Sequence, residues 1–559
     1  MKPITNFSWS LGLALVLGLY LSCSGSDQDP EDLIPVTHTG DLFLRTTADL
    51  MQFQADNITD VTGRLYIGSN VANQPSDISD LSYLAKLQSV GGELQIQNTQ
   101  LRSLEGLEGL MSAGEVYIRD NDLLESMEHL TQLETDVFQL SQLPLLNSLN
   151  GLDALKPAMK ELGIFTCPQL NDLSGLENIT SVDYLSLVNN TRLSSLNGLQ
   201  NLVMVGQEFR FEGDNGLQNF EGLSSLRGIG VSFRIRESPL LQNFRGLEKL
   251  EALQLLEVDR NHQLVNLTGL EGLTNLVGIE ISDNDALLSL EGLSNLTELI
   301  SAVIEENDRL QDLSHLGGLT LISSLTFENN DGLSSTQGLN LEGVNGLAIS
   351  GNAELTDLSG FSKLTAVGRL SIRNNAKLNN LNGLENIGRI NELNIVQNAL
   401  LEDISALGNA RVLNVLSLVD NPNLTFNSLP VKSPEALLTL ALIGSPKITS
   451  LQGLETLTMT NLLNVSNMDG LVNLDGLSGL TRLENLLIND NDNLESIEGL
   501  ANVNSSGMPV EFRRNPKLAD FCALTSLVNS ADFGGNFFTE NNAYNPDLAA
   551  MQAGNCKED

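Results

Sequence analysis

Two neighbouring segments decide the fold: LSLVNNTRLSSLNGL, Leu185 to Leu199, and FRFEGDNGLQNFEGL, Phe209 to Leu223. They are copies of one unit, L-x-L-x-x-N-x-x-L-x-x-L-x-G-L, followed by a variable stretch. Units of this kind begin at twenty positions from Leu65 to Val510, on average 23.4 residues apart. Self-similarity at such a period marks a solenoid, in which each copy buries its apolar edge only against its neighbours. Function must then be sought on the displayed surface.

Each slot of the unit has a physical reading. In L-x-L the alternation sends two side chains into the core and exposes the one between them, as a half-buried strand requires. Stacked in parallel at about 4.8 Å per coil, twenty coils make a body roughly 95 Å long. The next slot holds Asn in most copies, among them Asn98, Asn121, Asn190, Asn261, Asn284, Asn307, Asn330, Asn352 and Asn375. A buried Asn ladder can serve backbone groups where the coil turns. Eight residues further on, Gly recurs in 14 of the twenty copies, including Gly106, Gly175, Gly198, Gly269, Gly292 and Gly383. That predicts a second corner with positive φ. His129 and His315 fall in the Gly slot and read as turn residues that tolerate a left-handed backbone. Cys167 falls in the Asn slot and reads as a small buried side chain.

The ends differ from the array. Residues 1–22 read as a signal peptide: one charge, Lys2, then an apolar run from Leu11 to Leu21 too short to span a bilayer. Tyr20-Leu21-Ser22-Cys23 resembles the bacterial lipoprotein cleavage box, which makes Cys23 the expected lipidation site, with Tyr20 where Leu is commoner. Residues 23–39, acidic and polar, read as a flexible tether, similar to the export signal of surface lipoproteins in some gram-negative groups. Residues 40–62 read as an N-terminal cap, with Thr46 or Thr47 N-capping a short helix through Ala48–Gln54. Residues 63–521 are the solenoid and 522–559 a C-terminal cap. In an exported chain Cys522 and Cys556 are expected to pair, which stabilises by roughly 3–4 kcal/mol in the chain-entropy model.

The repeats Leu370–Leu384 (LSIRNNAKLNNLNGL) and Leu486–Leu500 (LLINDNDNLESIEGL) resemble leucine-rich repeats of the receptor L-domain type. Phe521–Cys556 is similar to the closing module of bacterial surface proteins built from such repeats. The resemblance implies a β-rich, right-handed leucine-rich-repeat or L-domain-like solenoid of about twenty coils with short parallel strands on each side. It also implies ligand or partner binding without a shared reaction. Irregularity is expected near Leu143, Met468 and Asn421–Pro430, where the Asn or Gly is lost.

Charge narrows the partners. Asp and Glu number 70 against 30 Lys and Arg, a formal charge of −40. The sign argues against nucleic acid as a partner and disfavours adhesion to bare anionic lipid, and much of the excess serves solubility. The exposed strand positions stack Arg210, Arg234 and Arg236 as a basic patch. An acidic strip follows: Glu257, Asp259, Glu280, Asp283, Glu305 and Glu328. Like charges on adjacent strands repel by roughly 0.2–1 kcal/mol each. The strip reads either as a solvated face or, functionally, as a docking surface for a cationic protein segment or a site for Ca²⁺. No His lies at metal-ligand spacing from Cys or His, and no P-loop, nucleophile elbow or H-E-x-x-H is present. The expectation is a non-enzymatic surface lipoprotein of the outer membrane, anchored through its lipid alone and binding a protein for adhesion or as a surface-complex scaffold. The alternatives are a passive spacer and a glycan binder. For the latter, Tyr66 and Tyr117 are the best aromatic platforms, since the one Trp, Trp9, lies in the signal peptide.

Overall fold

The computed structural model describes residues 35–71, 74–213, 216–426, 428–429, 431–432, 435–507 and 509–558; the span read as a signal peptide and Cys23 lie outside these. Alternating apolar residues produce parallel strands that stack coil on coil, with register shifts between Val36 and Thr37, Val90 and Glu93, Val205 and Glu208, and Ile390 and Glu392. Leu185 pairs with Phe209, Phe209 with Phe233, Phe233 with Leu256 and Leu256 with Ile279, so every start named above stands beside the next. The register also runs outward, Leu42 beside Leu65 and Val510 beside Phe537, giving about twenty-two turns. Within the span assigned to the tether, Val36–His38 already pairs with Ile58–Val61.

Each coil has three sides. In some coils two strand faces are separate, as in Ile58–Val61 and Leu65–Gly68 or Gly228–Ile229 and Ser232–Arg236; in others the two fuse, as in Ser181–Val188. The third side is made of turns, short 3₁₀ segments and isolated bridges such as Ser289 to Asp312 and Asn380 to Asp403. Leu185, Leu187, Leu193, Leu196 and Leu199 point inward from one coil and are fully buried. Helix is scarce: Thr47–Ala55 covers the first turns with Leu50 and Phe53, and Thr46 and Asp49 form its capping box. Cys522 and Cys556 are disulfide-bonded, and Cys167 is buried outside that bond.

The Asn slot works as a ladder. From Asn261 to Asn421, each backbone N–H from Asn261 to Asn398 donates to the Asn side chain one coil on, at 3.0 to 3.2 Å. Each amide donates back to the preceding strand, Asn307 Nδ2 reaching Ile281 O at 2.9 Å. Asn98 does not belong to it. Thr99 is the buried member of that coil, donating its N–H to Asn121 Oδ1 at 3.1 Å, while Asn98 sits one residue earlier with φ 53°. That earlier position is a left-handed corner in coil after coil, held by Asp120, Asn189, Asp283, Glu306 and Asp490 among others. Apolar Met468 fits the ladder slot because its N–H still finds Asn491 Oδ1 at 3.0 Å.

The Gly slot needs two corrections. The six glycines named above do have positive φ. Gly499, however, lies in the 3₁₀ turn Glu498–Leu500 with an ordinary backbone, and is required because a Cβ would sit 1.8 Å from Leu474 O. His129 and His315 are not left-handed either, so tolerance of positive φ does not explain them. Instead His129 Nδ1 lies 2.7 Å from Glu108, and His315 stands in the turn Ser314–Leu316 with Asp312 at 3.6 Å.

Candidate functional site

Strand register builds the proposed column directly. Arg210, Arg234, Glu257 and Glu280 stand side by side, and so do Glu212, Arg236, Asp259, Ser282, Glu305 and Glu328. Asp283 is set apart from the strand, on the left-handed corner that follows it, at φ 52°. Beneath the arginines the core is aromatic, Phe209 stacked on Phe233 at 4.8 Å and Phe220 on Phe244 at 5.5 Å.

The structure corrects the picture of a basic patch leading into an acidic strip. Arg234 pairs with Glu257 at 3.0 Å and Glu208 at 3.3 Å, and Arg236 reaches Glu257 at 3.2 Å. Arg210 Nε donates to Glu212 at 2.7 Å. Hydrogen bonding to Glu257 holds the Arg234 guanidinium above its ordinary pKa. Asp259 accepts from Ser282 Oγ at 2.9 Å and has Arg260 at 3.9 Å. These coils form a neutralised mosaic, because long arginine side chains reach across to carboxylates one strand away.

Beyond Asp259 the compensation stops. Among the described residues no Lys or Arg pairs with Glu280, Glu305, Glu306 or Glu328; Asp283 keeps Arg260 at 3.7 Å. From residue 275 to 347 there are twelve acidic residues and one basic, Arg309. Burial pushes the Glu305 carboxyl above its usual range, helped by the charges of Glu328, Glu280, Glu306 and Asp259. Asp308, on the adjoining corner, is raised by burial and then by Asp331, Asp285 and Asp283. Row and corner together make a face of negative potential, with Glu305, Glu328 and Asp283 half-buried and Glu280, Glu306 and Asp308 exposed.

One donor cluster escaped the spacing argument because its members lie a coil apart. His262, Asp283 and Asp285 bring ligand atoms within 4.8 Å of one another, His262 Nδ1 lying 3.1 Å from Asp285. An imidazole with two carboxylates suits a transition metal better than Ca²⁺, which takes about six to eight oxygens.

Parallel strands stacked coil on coil, an Asn ladder at the turn and leucines filling the centre define the architecture. The chain has a leucine-rich-repeat-like solenoid fold. No protein-family model matches the sequence, and no curated protein does. Among solved structures, an internalin of Listeria monocytogenes aligns at 20% identity over 60% of this chain and 87% of its own, with a TM-score of 0.31. The Toll–Spatzle complex of Drosophila aligns at 14% identity, covering 94% of this chain and 91% of the other, again at 0.31. A leucine-rich-repeat ectodomain of a plant membrane receptor kinase from Arabidopsis thaliana, solved with Casparian strip integrity factor 2, aligns at 14% over 91% and 78%, at 0.23. These superpositions add nothing to what the strand register itself establishes. Among the described residues no helix is long and apolar enough to cross a membrane.

Proposed function

We propose that the solenoid is a protein-binding scaffold that docks a cationic segment of its partner against Glu280, Glu305, Glu306 and Glu328. One observation carries the reading. Glu305 and Glu328 stand side by side, with Glu280 on the strand before them two residues short of that row and Glu306 on the corner. No Lys or Arg pairs with any of the four among the described residues, whereas the coils just before them pair every strand carboxylate of the column. Cross-strand repulsion of about 0.2–1 kcal/mol per pair gives folding no reason to keep such a row, and a cationic partner would relieve it. With the lipobox-like Tyr20–Cys23 and the tether, the reading extends to a lipid-anchored protein of the bacterial cell surface, acting in adhesion or in a surface complex and catalysing nothing.

The test is binding of an alternating Lys-Ala peptide to the full chain. Glu280→Gln/Glu305→Gln/Glu328→Gln should weaken it by about tenfold or more and flatten its salt dependence. Unchanged affinity would remove the row as the site. Pull-down of surface proteins alongside glycan arrays separates protein capture from glycan capture and from a passive spacer. Protease shaving of intact cells, with Cys23→Ser as the unanchored control, tests the location.

A further inference from the structure

The first turns display a different chemistry on the same strand face. Phe43, Tyr66, Gln95, Tyr117 and Gln139 stand side by side on five successive strands. Phe43 is 53% exposed, and its ring centre lies 6.3 Å from that of Tyr66. Arg45 lies over the Phe43 ring and Arg119 over the Tyr117 ring, each at 5.6 Å. Neither guanidinium has a carboxylate partner within ion-pairing distance among the described residues. The Tyr66 hydroxyl and Arg119 Nε are both buried and make no hydrogen bond. Burial raises the Tyr66 pKa; Arg119 and Arg45 are close enough to oppose that rise, and Asp120 adds to it.

Between the two arginines the row dips. Gly68 stands beside Gln97, which stands beside Arg119. No side chain can replace Gly68, because a Cβ would lie 1.9 Å from Gln97 O. The amides around the dip are fixed, Gln95 donating to Gln97 at 2.6 Å and Gln97 to Asp120 at 2.8 Å. A depression of about 670 Å³ adjoins them, lined by Asn70, Gln97, Asn98, Gln100, Asp120 and Gln142 among others.

A guanidinium stacked on an aromatic ring keeps its in-plane N–H groups free and oriented, ready for a carboxylate. Amides offer a donor and an acceptor side by side, as sugar hydroxyls require. Exposed aromatic faces accept the C–H surface of a sugar ring. The net charge of −40 repels ligands of high negative density, which favours sparse carboxylates on rings over a run of acidic residues. We propose that this face binds an acidic carbohydrate of the uronic-acid class, its carboxylates on Arg45 and Arg119 beside the Tyr66 hydroxyl and its rings on Phe43 and Tyr66. The site lies on other coils than the carboxylate row and stands or falls without it.

Calorimetry of the full chain with tetragalacturonate decides the matter, against neutral galactotetraose and tetraglutamate. The acidic sugar should bind at least about tenfold more tightly than either control, since only it satisfies both the charge and the hydroxyl partners. Tyr66→Phe keeps the ring and the fold and should weaken it about fivefold; Arg119→Gln and exposed Phe43→Ala should weaken it about tenfold. Glu280→Gln/Glu305→Gln/Glu328→Gln should leave it unchanged. Equal binding of tetraglutamate or of the neutral sugar, no heat at millimolar ligand, or indifference to Tyr66→Phe and Arg119→Gln in folded protein would overturn the proposal.

Discussion

The strand face from Phe43 to Gln139 and the strand face from Glu280 to Glu328 are built on the same scaffold and could hardly differ more. The first carries rings, amides and two arginines without ion-pair partners; the second carries carboxylates without partners. Between them lie Arg210 to Asp259, where both signs occur and cancel. A solenoid separates what folds from what faces outward, since the ladder and the leucines satisfy each coil whatever its exposed positions hold.

The largest effects should therefore be indifferent to which face lies above. Asn307→Leu under the carboxylates strips Ile281 O and Glu305 O of a donor and Asn284 N–H of its acceptor. Asn121→Leu near the aromatic end does the same to Ile96 O, Arg119 O and Thr99 N–H. Glu305 O and Arg119 O keep a donor in Asp283 N–H at 3.2 Å and Asn98 N–H at 3.3 Å. With the remaining buried orphans costing about 1–3 kcal/mol apiece, each change should cost about 2 kcal/mol or more in denaturant unfolding. A cost confined to one of the two would mean that the ladder is not a shared device.

Smaller effects should split the two faces by sign. Glu280→Gln/Glu305→Gln/Glu328→Gln removes cross-strand repulsion and should raise stability by about 1 kcal/mol. Arg119→Gln removes a cation over an aromatic ring and should lower it by about 0.5–1 kcal/mol. Thermal melts of both variants check this; a triple variant that melts earlier would show that the row is compensated after all.

How far such contrasts can be read without coordinates depends on their range. The period and the alternation in LSLVNNTRLSSLNGL dictate coil, strand and register, so the charge columns, Glu257 beside Glu280 and Glu305 beside Glu328, are legible. What the side chains do with one another is not. Whether Glu257 is free depends on Arg234 and Arg236 bending across one strand, and no periodicity encodes a rotamer. The left-handed corner before the Asn slot stayed hidden because Asp283, Glu306, Gln397 and Arg514 all occupy it; backbone closure imposes the geometry there on nearly any side chain. Phe43 was missed for another reason. Its segment lacks the Asn and Gly of the unit and reads as a cap, although Leu42–Leu44 pairs as a full strand.

The finest test of the contrast is pH. The Glu305 carboxyl is raised in the fold, by burial first and then by its acidic neighbours. Its contribution to stability is complete below the unfolded value of 4.5 and is lost as pH climbs through the higher folded value. Asp136, in the coil of Phe138, is lowered by its hydrogen bond from Lys156 at 2.7 Å. Its contribution is present above 3.8 and is lost as pH falls through the lower folded value. Mild acid, still above the range in which Asp136 titrates, should therefore slow hydrogen exchange in the strands Asn275–Ser282 through Leu321–Glu328, relative to intrinsic rates, and leave Val137–Ser141 untouched. Stronger acid should speed exchange in Val137–Ser141. Parallel changes in both regions would show that acid acts on the rod as a whole and that Glu305 and Asp136 are not set apart by their surroundings.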